Sequence, residues 1–181
     1  MDPPDEELVE RAREGDLSAF EVLVARHQHL ALRVAYAIAP GDAEDVVQEA
    51  FVKAHQALKR FRADAPFRPW MLRIVTNEAH NHRRRDGRQE RLAVRESNRR
   101  ATTGWLTPED AAINEDDRRR LAEAVSALSP PDREVIALRW FAGLTEAEMA
   151  VILDCRPGTV KSRLSRALDR LRATIPAETT L

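Results

Sequence analysis

Three groups of polar side chains in this sequence recur at helical spacing and could carry recognition chemistry. Arg73, Asn77, His80, Asn81 and Arg84 stand at steps of i, i+4, i+7, i+8 and i+11, one continuous strip on a helix face. Guanidinium and amide groups in such a row suit hydrogen bonding to base edges and phosphate oxygens. A solvated face could also be polar, but Asn is a poor helix former, and two asparagines in one row favour recognition. Thr159, Lys161, Ser162, Ser165 and Arg166 form a second polar face, near the start of the last helical segment. Asp45, Gln48 and Glu49, at spacings of three and four, form a third. Its acidic character suits a basic protein surface. All of these groups bind; none is arranged to break bonds.

The residues that could do bond-making chemistry are poorly placed for it. His27/His29 and His80/His82 are i, i+2 pairs, which point to different sides of a helix and make poor metal clamps. The zinc-deaminase, zincin and phosphate-loop patterns are missing. Cys155 is the one cysteine, so an internal disulfide is excluded, and a small packed residue is the simpler reading than a redox centre. No enzyme activity, cofactor, metal or small-molecule substrate is therefore expected. No stretch approaches the roughly 18 apolar residues of a membrane helix. The acidic start lacks the basic-then-apolar layout of a secretion signal, so a reducing cytoplasm is the expected location.

The net charge of −1 conceals a strong asymmetry. Residues 1–50 carry twelve acidic and four basic side chains, whereas 83–100 hold eight arginines against three acids. Residues 156–172 hold six basic side chains against Asp169 alone. Two cationic segments behind an acidic front point to two kinds of partner, a polyanion and a basic protein surface.

Hydrophobic periodicity predicts an all-α chain of two small domains, at 5–87 and 109–175, joined by a flexible linker over 88–108. Phe20, Leu23, Val24, His27, Ala31, Val34 and Ile38 mark a helix from about Leu17 to Ala39. Pro40-Gly41 stops it, and Asp42 is placed to cap a second helix reaching about Arg60. A third runs from about Arg68 into the arginines, with Trp70, Met71, Leu72, Ile74, Val75 and Ala79 inward. The apolar stripe is lost from about Gly87 to Glu109, a stretch that could span up to roughly 80 Å if extended, more than two DNA turns of about 34 Å each. Beyond it, one helix ends near Leu128; Ser129-Pro130-Pro131-Asp132, a cap residue followed by proline, starts the next and Gly143 closes it. Thr145 and Glu148 form a capping box for a two-turn helix. Asp154-Cys155-Arg156 is the turn, with Asp154 suited to a left-handed backbone, and Pro157 opens the last helix. A short helix, a three-residue turn and a longer basic helix make a helix-turn-helix, whose second helix enters the major groove.

Taken together, these segments resemble a bacterial RNA polymerase sigma factor of the extracytoplasmic-function (ECF) group. The resemblance rests on Asp42-Ala-Glu-Asp-Val-Val-Gln-Glu-Ala-Phe51, on Phe61 through Asn77 followed by Asn81 and the arginines, and on Leu128 through Leu164. It covers about residues 5–173. It implies a transcription initiation factor that binds core polymerase, through the β′ clamp helices and the β flap, and directs it to promoters. Asp45, Gln48 and Glu49 would contact the clamp. The loop from Phe61 to Pro66, with Asn77, would hold an extruded base of the −10 element, and Arg73, Asn81 and Arg84 would support the strand. Thr159, Lys161, Ser162, Ser165 and Arg166 would read the −35 duplex. The resemblance also implies an anti-sigma partner. Arg156 in the turn, and Pro66 and Pro69 near the base-holding loop, depart from the usual pattern. A stand-alone helix-turn-helix regulator is the alternative, and the acidic face at 45–49 argues against it, because a repressor has no need of such a surface.

Overall fold

A computed structural model describes residues 3–62, 65–86 and 115–174 of the 181. The linker expected at 88–108 lies outside the described residues. Among the described residues the regular structure is entirely helical. The N-terminal half comprises α1 (Asp5–Arg13), α2 (Leu17–Ile38), α3 (Ala43–Ala57) with a 3₁₀ turn at Leu58–Arg60, and α4 (Phe67–Asp86). The C-terminal half comprises α5 (Glu115–Ser126), α6 (Pro130–Ile136) running into a π turn at Ala137–Phe141, α7 (Glu146–Ile152) and α8 (Pro157–Thr174).

Helix α1 is an element that the apolar stripe did not announce. Nine residues bury only Leu8, Val9 and Ala12, too few to dominate a periodicity count. Local closure defines it instead. Gly15, at φ +102, lets the Asp16 N–H reach the Arg11 carbonyl at 3.0 Å and the Gly15 N–H reach that of Ala12 at 3.1 Å. This pair of bonds satisfies carbonyls that the helix end would leave open. Asp16 then caps α2 by accepting from the Ala19 N–H. From the other end of α1, Asp5 pairs with Arg26 at 2.5 Å and with the buried His27 at 2.7 Å. His27, expected on the apolar stripe, is therefore buried but paired with the half-buried carboxylate of Asp5.

Helix α2 is the central post, packed by α1, α3 and α4. Leu23, Ala31, Val34, Ala35 and Ile38 on it meet Val46, Ala50, Met71, Leu72 and Val75 in one core. Two expected caps take other forms. Asp42 precedes α3 but makes no side-chain cap bond, because its backbone (φ −123, ψ 16) lies outside the extended region a capping residue adopts. Ser129 precedes two prolines that have no N–H to offer, and its hydroxyl donates to Asp132 at 2.6 Å.

The two halves also pack on each other. α2 meets α6 and the π turn, α4 meets α7, and the buried apolar cluster is continuous across the junction. Polar contacts seal it. Arg133 donates to the Ala37 carbonyl at 3.1 Å, His80 Nε2 lies 2.8 Å from Glu134 Oε1, and the Arg33 guanidinium sits 4.9 Å from the Phe141 ring centre. The His80–Glu134 contact is out of line for a hydrogen bond. It is an electrostatic approach between two largely covered groups.

Candidate nucleic-acid interface

Helix α4 presents the first polar strip in two parts. Arg73, Asn77 and Arg84 are exposed, while His80 and Asn81 are half-buried. The apolar side of the helix buries Met71, Leu72, Val75 and Ala79, which fixes the strip's direction. Glu134 of the C-terminal half faces His80, so that position is engaged within the chain. Asn81 is engaged as well, through Glu78 and Arg84. Arg73 and Asn77 remain open to solvent.

Phe61 sits apart from this strip. It is only 6% exposed and packs against Trp70 (ring centres 4.6 Å apart) and Phe67 (6.2 Å). A residue so placed supports the loop that follows it, and stacking on a base would require it to leave the cluster. Residues 63 and 64 of that loop lie outside the described residues. The three rings show why the sequence is ambiguous here: an aromatic beside a polar loop can be a stacking platform or the loop's anchor.

The helix-turn-helix follows local chemistry closely. The Thr145 hydroxyl accepts from the Glu148 N–H at 3.2 Å, and the Glu148 carboxylate accepts from the Thr145 N–H at 2.8 Å, a complete capping box. The Thr145 backbone and side-chain donors hold the Glu148 carboxyl below its ordinary range. Asp154 adopts φ +47, and the next N–H, of Cys155, closes on the Ala150 carbonyl at 3.0 Å. Val160, Leu164 and Ala167 seat α8 in the core. Arg170 on α8 pairs with the buried Asp132 of α6, which locks the helix's rotation. Lys161, Ser162, Ser165 and Arg166 consequently face solvent, and Thr159 is half-buried. In the free chain, Ser162 donates to the Thr159 carbonyl at 3.0 Å and Arg166 Nε to that of Ser162 at 3.1 Å.

Helix α3 carries the acidic group. Asp45 and Gln48 are exposed, and Glu49 is partly covered, 3.3 Å from the His82 ring. Beside them lies an apolar groove of about 610 Å³ between α2 and α3, lined by Leu17, Phe20, Val24, Phe51 and Val52, with Gln48 at its margin. Leu17 is 62% exposed and Val52 53%. The groove was not anticipated from sequence. Its signal is an apolar residue off the core stripe (Val52) and another at a helix start (Leu17).

The family profile of Sigma-70 region 2 matches residues 23–89, and that of Sigma-70 region 4 matches 118–171. The chain is 38% identical over 175 residues to the ECF RNA polymerase sigma-E factor of Escherichia coli strain K12, covering 92% of each. It is 35% identical over 177 residues to the RNA polymerase sigma-H factor of Pseudomonas aeruginosa, covering 92% of this chain and 91% of that one. Among solved structures it resembles CnrH, determined with the cytosolic domain of CnrY, at 33% identity and TM-score 0.65, covering 93% and 95% of the two chains. It also resembles the sigma factor RpoE of Bartonella quintana, determined with the anti-sigma factor NepR, at 26% identity and TM-score 0.64, covering 85% and 93%. Both family regions and relatives spanning nearly the whole chain agree, and the chain belongs to the ECF RNA polymerase sigma factors.

Proposed function

We propose a division of labour in which each polar face serves one partner of the initiation complex. The N-terminal half, residues 5–87, holds core polymerase through Asp45, Gln48 and Glu49 on α3. The same half keeps the −10 strand open with Arg73, Asn77 and Arg84 on α4, with Asn81 and the loop after Phe61 in support. The C-terminal half, residues 109–175, reads −35 duplex through Lys161, Ser162, Ser165 and Arg166, with Thr159 at the edge. The chain acts by binding and not as an enzyme, and it works in the cytoplasm. Among the described residues no helix is long and apolar enough to cross a membrane. These faces are also where an anti-sigma partner would act; the Bartonella sigma factor was determined with such a partner.

One observation carries this reading above a stand-alone regulator. The exposed acidic face of α3 lies next to an open apolar groove, on the half of the chain that lacks the helix-turn-helix. A protein that only occupied operators would have no use for such a surface. Run-off transcription with purified core polymerase tests it: promoter-dependent product supports initiation, and duplex binding without product supports the regulator. Asp45→Arg reverses the sign of the contact and should abolish capture of core polymerase. Asn77→Ala should impair strand opening, read by permanganate reactivity, while duplex binding through α8 is retained.

A further inference from the structure

Glu78 is a carboxylate buried to 6% exposure on α4, beneath the polar strip. A buried charge persists only where its lone pairs are used. Its Oε2 accepts from Lys53 Nζ on α3, and its Oε1 lies 3.4 Å from Asn81 Nδ2, one turn along α4. Asn81 Oδ1 in turn accepts from Arg84 Nη2 at 2.7 Å, and Arg84 Nε donates to the His80 carbonyl at 3.3 Å. The chemistry allows one orientation of the Asn81 amide. A carboxylate only accepts and a guanidinium only donates, so the amino end must face Glu78 and the carbonyl end Arg84.

We infer that Glu78 and Asn81 form a relay that positions the Arg84 guanidinium, and that Asn81 is a bridge in this chain and not a reader of bases. Each end of its amide has one partner within the protein, at 3.4 and 2.7 Å, so a bidentate approach to a base edge would compete with both bonds of the relay. The adjacent negative charge also repels a phosphate oxygen approaching Asn81. Arg84 differs. It has five N–H groups, and its two bonds within the chain engage one on Nε and one on Nη2. The rest of the exposed fork, including all of Nη1, is directed by the relay and suits a non-bridging phosphate oxygen. Lys53 anchors the relay to α3, so the helix facing polymerase and the strand-facing cation share one chain of bonds. The inference rests on the reading that the α4 strip faces the −10 strand.

The test uses reconstituted holoenzyme and a fork-junction DNA cut from a promoter found in the run-off assay, with affinity measured at fixed salt. Arg84→Ala should weaken binding by about threefold to tenfold and lower the salt slope by about one, as expected for one phosphate contact. Asn81→Ala should give a loss no larger, equal for all four bases at each −10 position, and absent in the Arg84→Ala background. Glu78→Gln is a test of sign. Freeing the Lys53 charge would by itself tighten binding, whereas Gln has one acceptor oxygen where the carboxylate uses two, for Lys53 and Asn81, so the relay predicts a loss of about threefold. Capture of core polymerase, measured for each variant, should be unchanged. A base-selective loss in Asn81→Ala makes it a reader and overturns the relay, as does tighter binding by Glu78→Gln or additivity with Arg84→Ala. An inert Arg84→Ala would instead remove the α4 strip from DNA, and the relay's purpose with it.

Discussion

Arg133 offers the sharpest test of how the two halves are held. Helix α2 has no basic residue in its last turn, so the carbonyls at its C-terminus have no cation of their own to oppose the negative end of the dipole. Arg133 supplies one from the other half of the chain. Its Nε donates to the Ala37 carbonyl at 3.1 Å, and its Nη1 reaches the Ser126 and Leu128 carbonyls at 3.0 and 3.3 Å. One guanidinium thus closes the end of α2 and the end of α5 together. Burial, and then the nearby Arg83 charge, lower its pKa from the ordinary arginine value. Arginine stays charged regardless. A hydrogen bond from a charged donor contributes about 1.5–3 kcal/mol, so loss of the Ala37 contact alone should weaken docking of the halves by about 10- to 150-fold. The two contacts inside the C-terminal half add to the cost, and Arg133→Ala should lower unfolding stability by about 2–4 kcal/mol in total. Urea unfolding reads the total, and the radius of gyration from small-angle X-ray scattering in native buffer reads the docking. The expected result is a lower urea midpoint together with a larger radius. A lower midpoint with an unchanged radius would make Arg133 an internal brace of the C-terminal half and refute the shared-cap argument.

Further outcomes follow from local geometry. At φ +47, Asp154→Gly removes left-handed strain but adds unfolded-state entropy, so it should be neutral to stabilising by up to about 1 kcal/mol. Asp154→Val should cost about 1–3 kcal/mol and loosen α8; equal melting temperatures for the two variants would mean that the turn is not strained. Bonds from Ser18, then Arg11, then the Ala19 N–H hold the Asp16 carboxyl down from 3.8 to about 2. Because the folded pKa is the lower one, this contribution is complete above about pH 4 and is lost as pH falls towards 2. Exchange of the Ala19 amide should therefore accelerate across that window in the native chain but not in Asp16→Asn, and identical acid profiles would count against the cap. On α8, Arg166→Ala should weaken duplex binding by about 1–3 kcal/mol if the side chain contacts a base, read by titration at fixed salt.

What was legible in the sequence is what neighbouring residues decide among themselves. The capping box at Thr145 and Glu148, the left-handed Asp154 and the stop at Gly143 depend on a few adjacent positions, and each is present. The same holds for the apolar stripes of α2 and α4, most of whose inward residues join the core, while Phe20 and Val24 also line the open groove. The cap expected of Asp42 failed because of a backbone angle, which residue type alone does not encode, whereas Ser129 is followed by two prolines and turns its hydroxyl to Asp132 instead.

The candidate site was less legible, because polarity at helical spacing reports that a face avoids the core but not what it meets. His80, Asn81, Arg84, Arg73 and Asn77 look equivalent in a row, yet the fold divides them. Glu134 takes up His80 from the other half, Glu78 and Arg84 engage Asn81, and only the remaining cations and Asn77 stay available. Glu134 lies on another element, Glu78 one turn away on the buried side and Arg84 one turn away on the exposed side, so which residues of the strip pair is settled only when the helices are assembled. The consequence is physical. If α4 lies along a DNA strand, the strand must either run past a strip interrupted at His80 or displace Glu134. Displacing Glu134 would leave a 4% exposed carboxylate without its imidazole neighbour unless the halves part and water reaches it. On that reading, docking of the two halves and use of His80 by a strand oppose each other, and parting the halves would open that position.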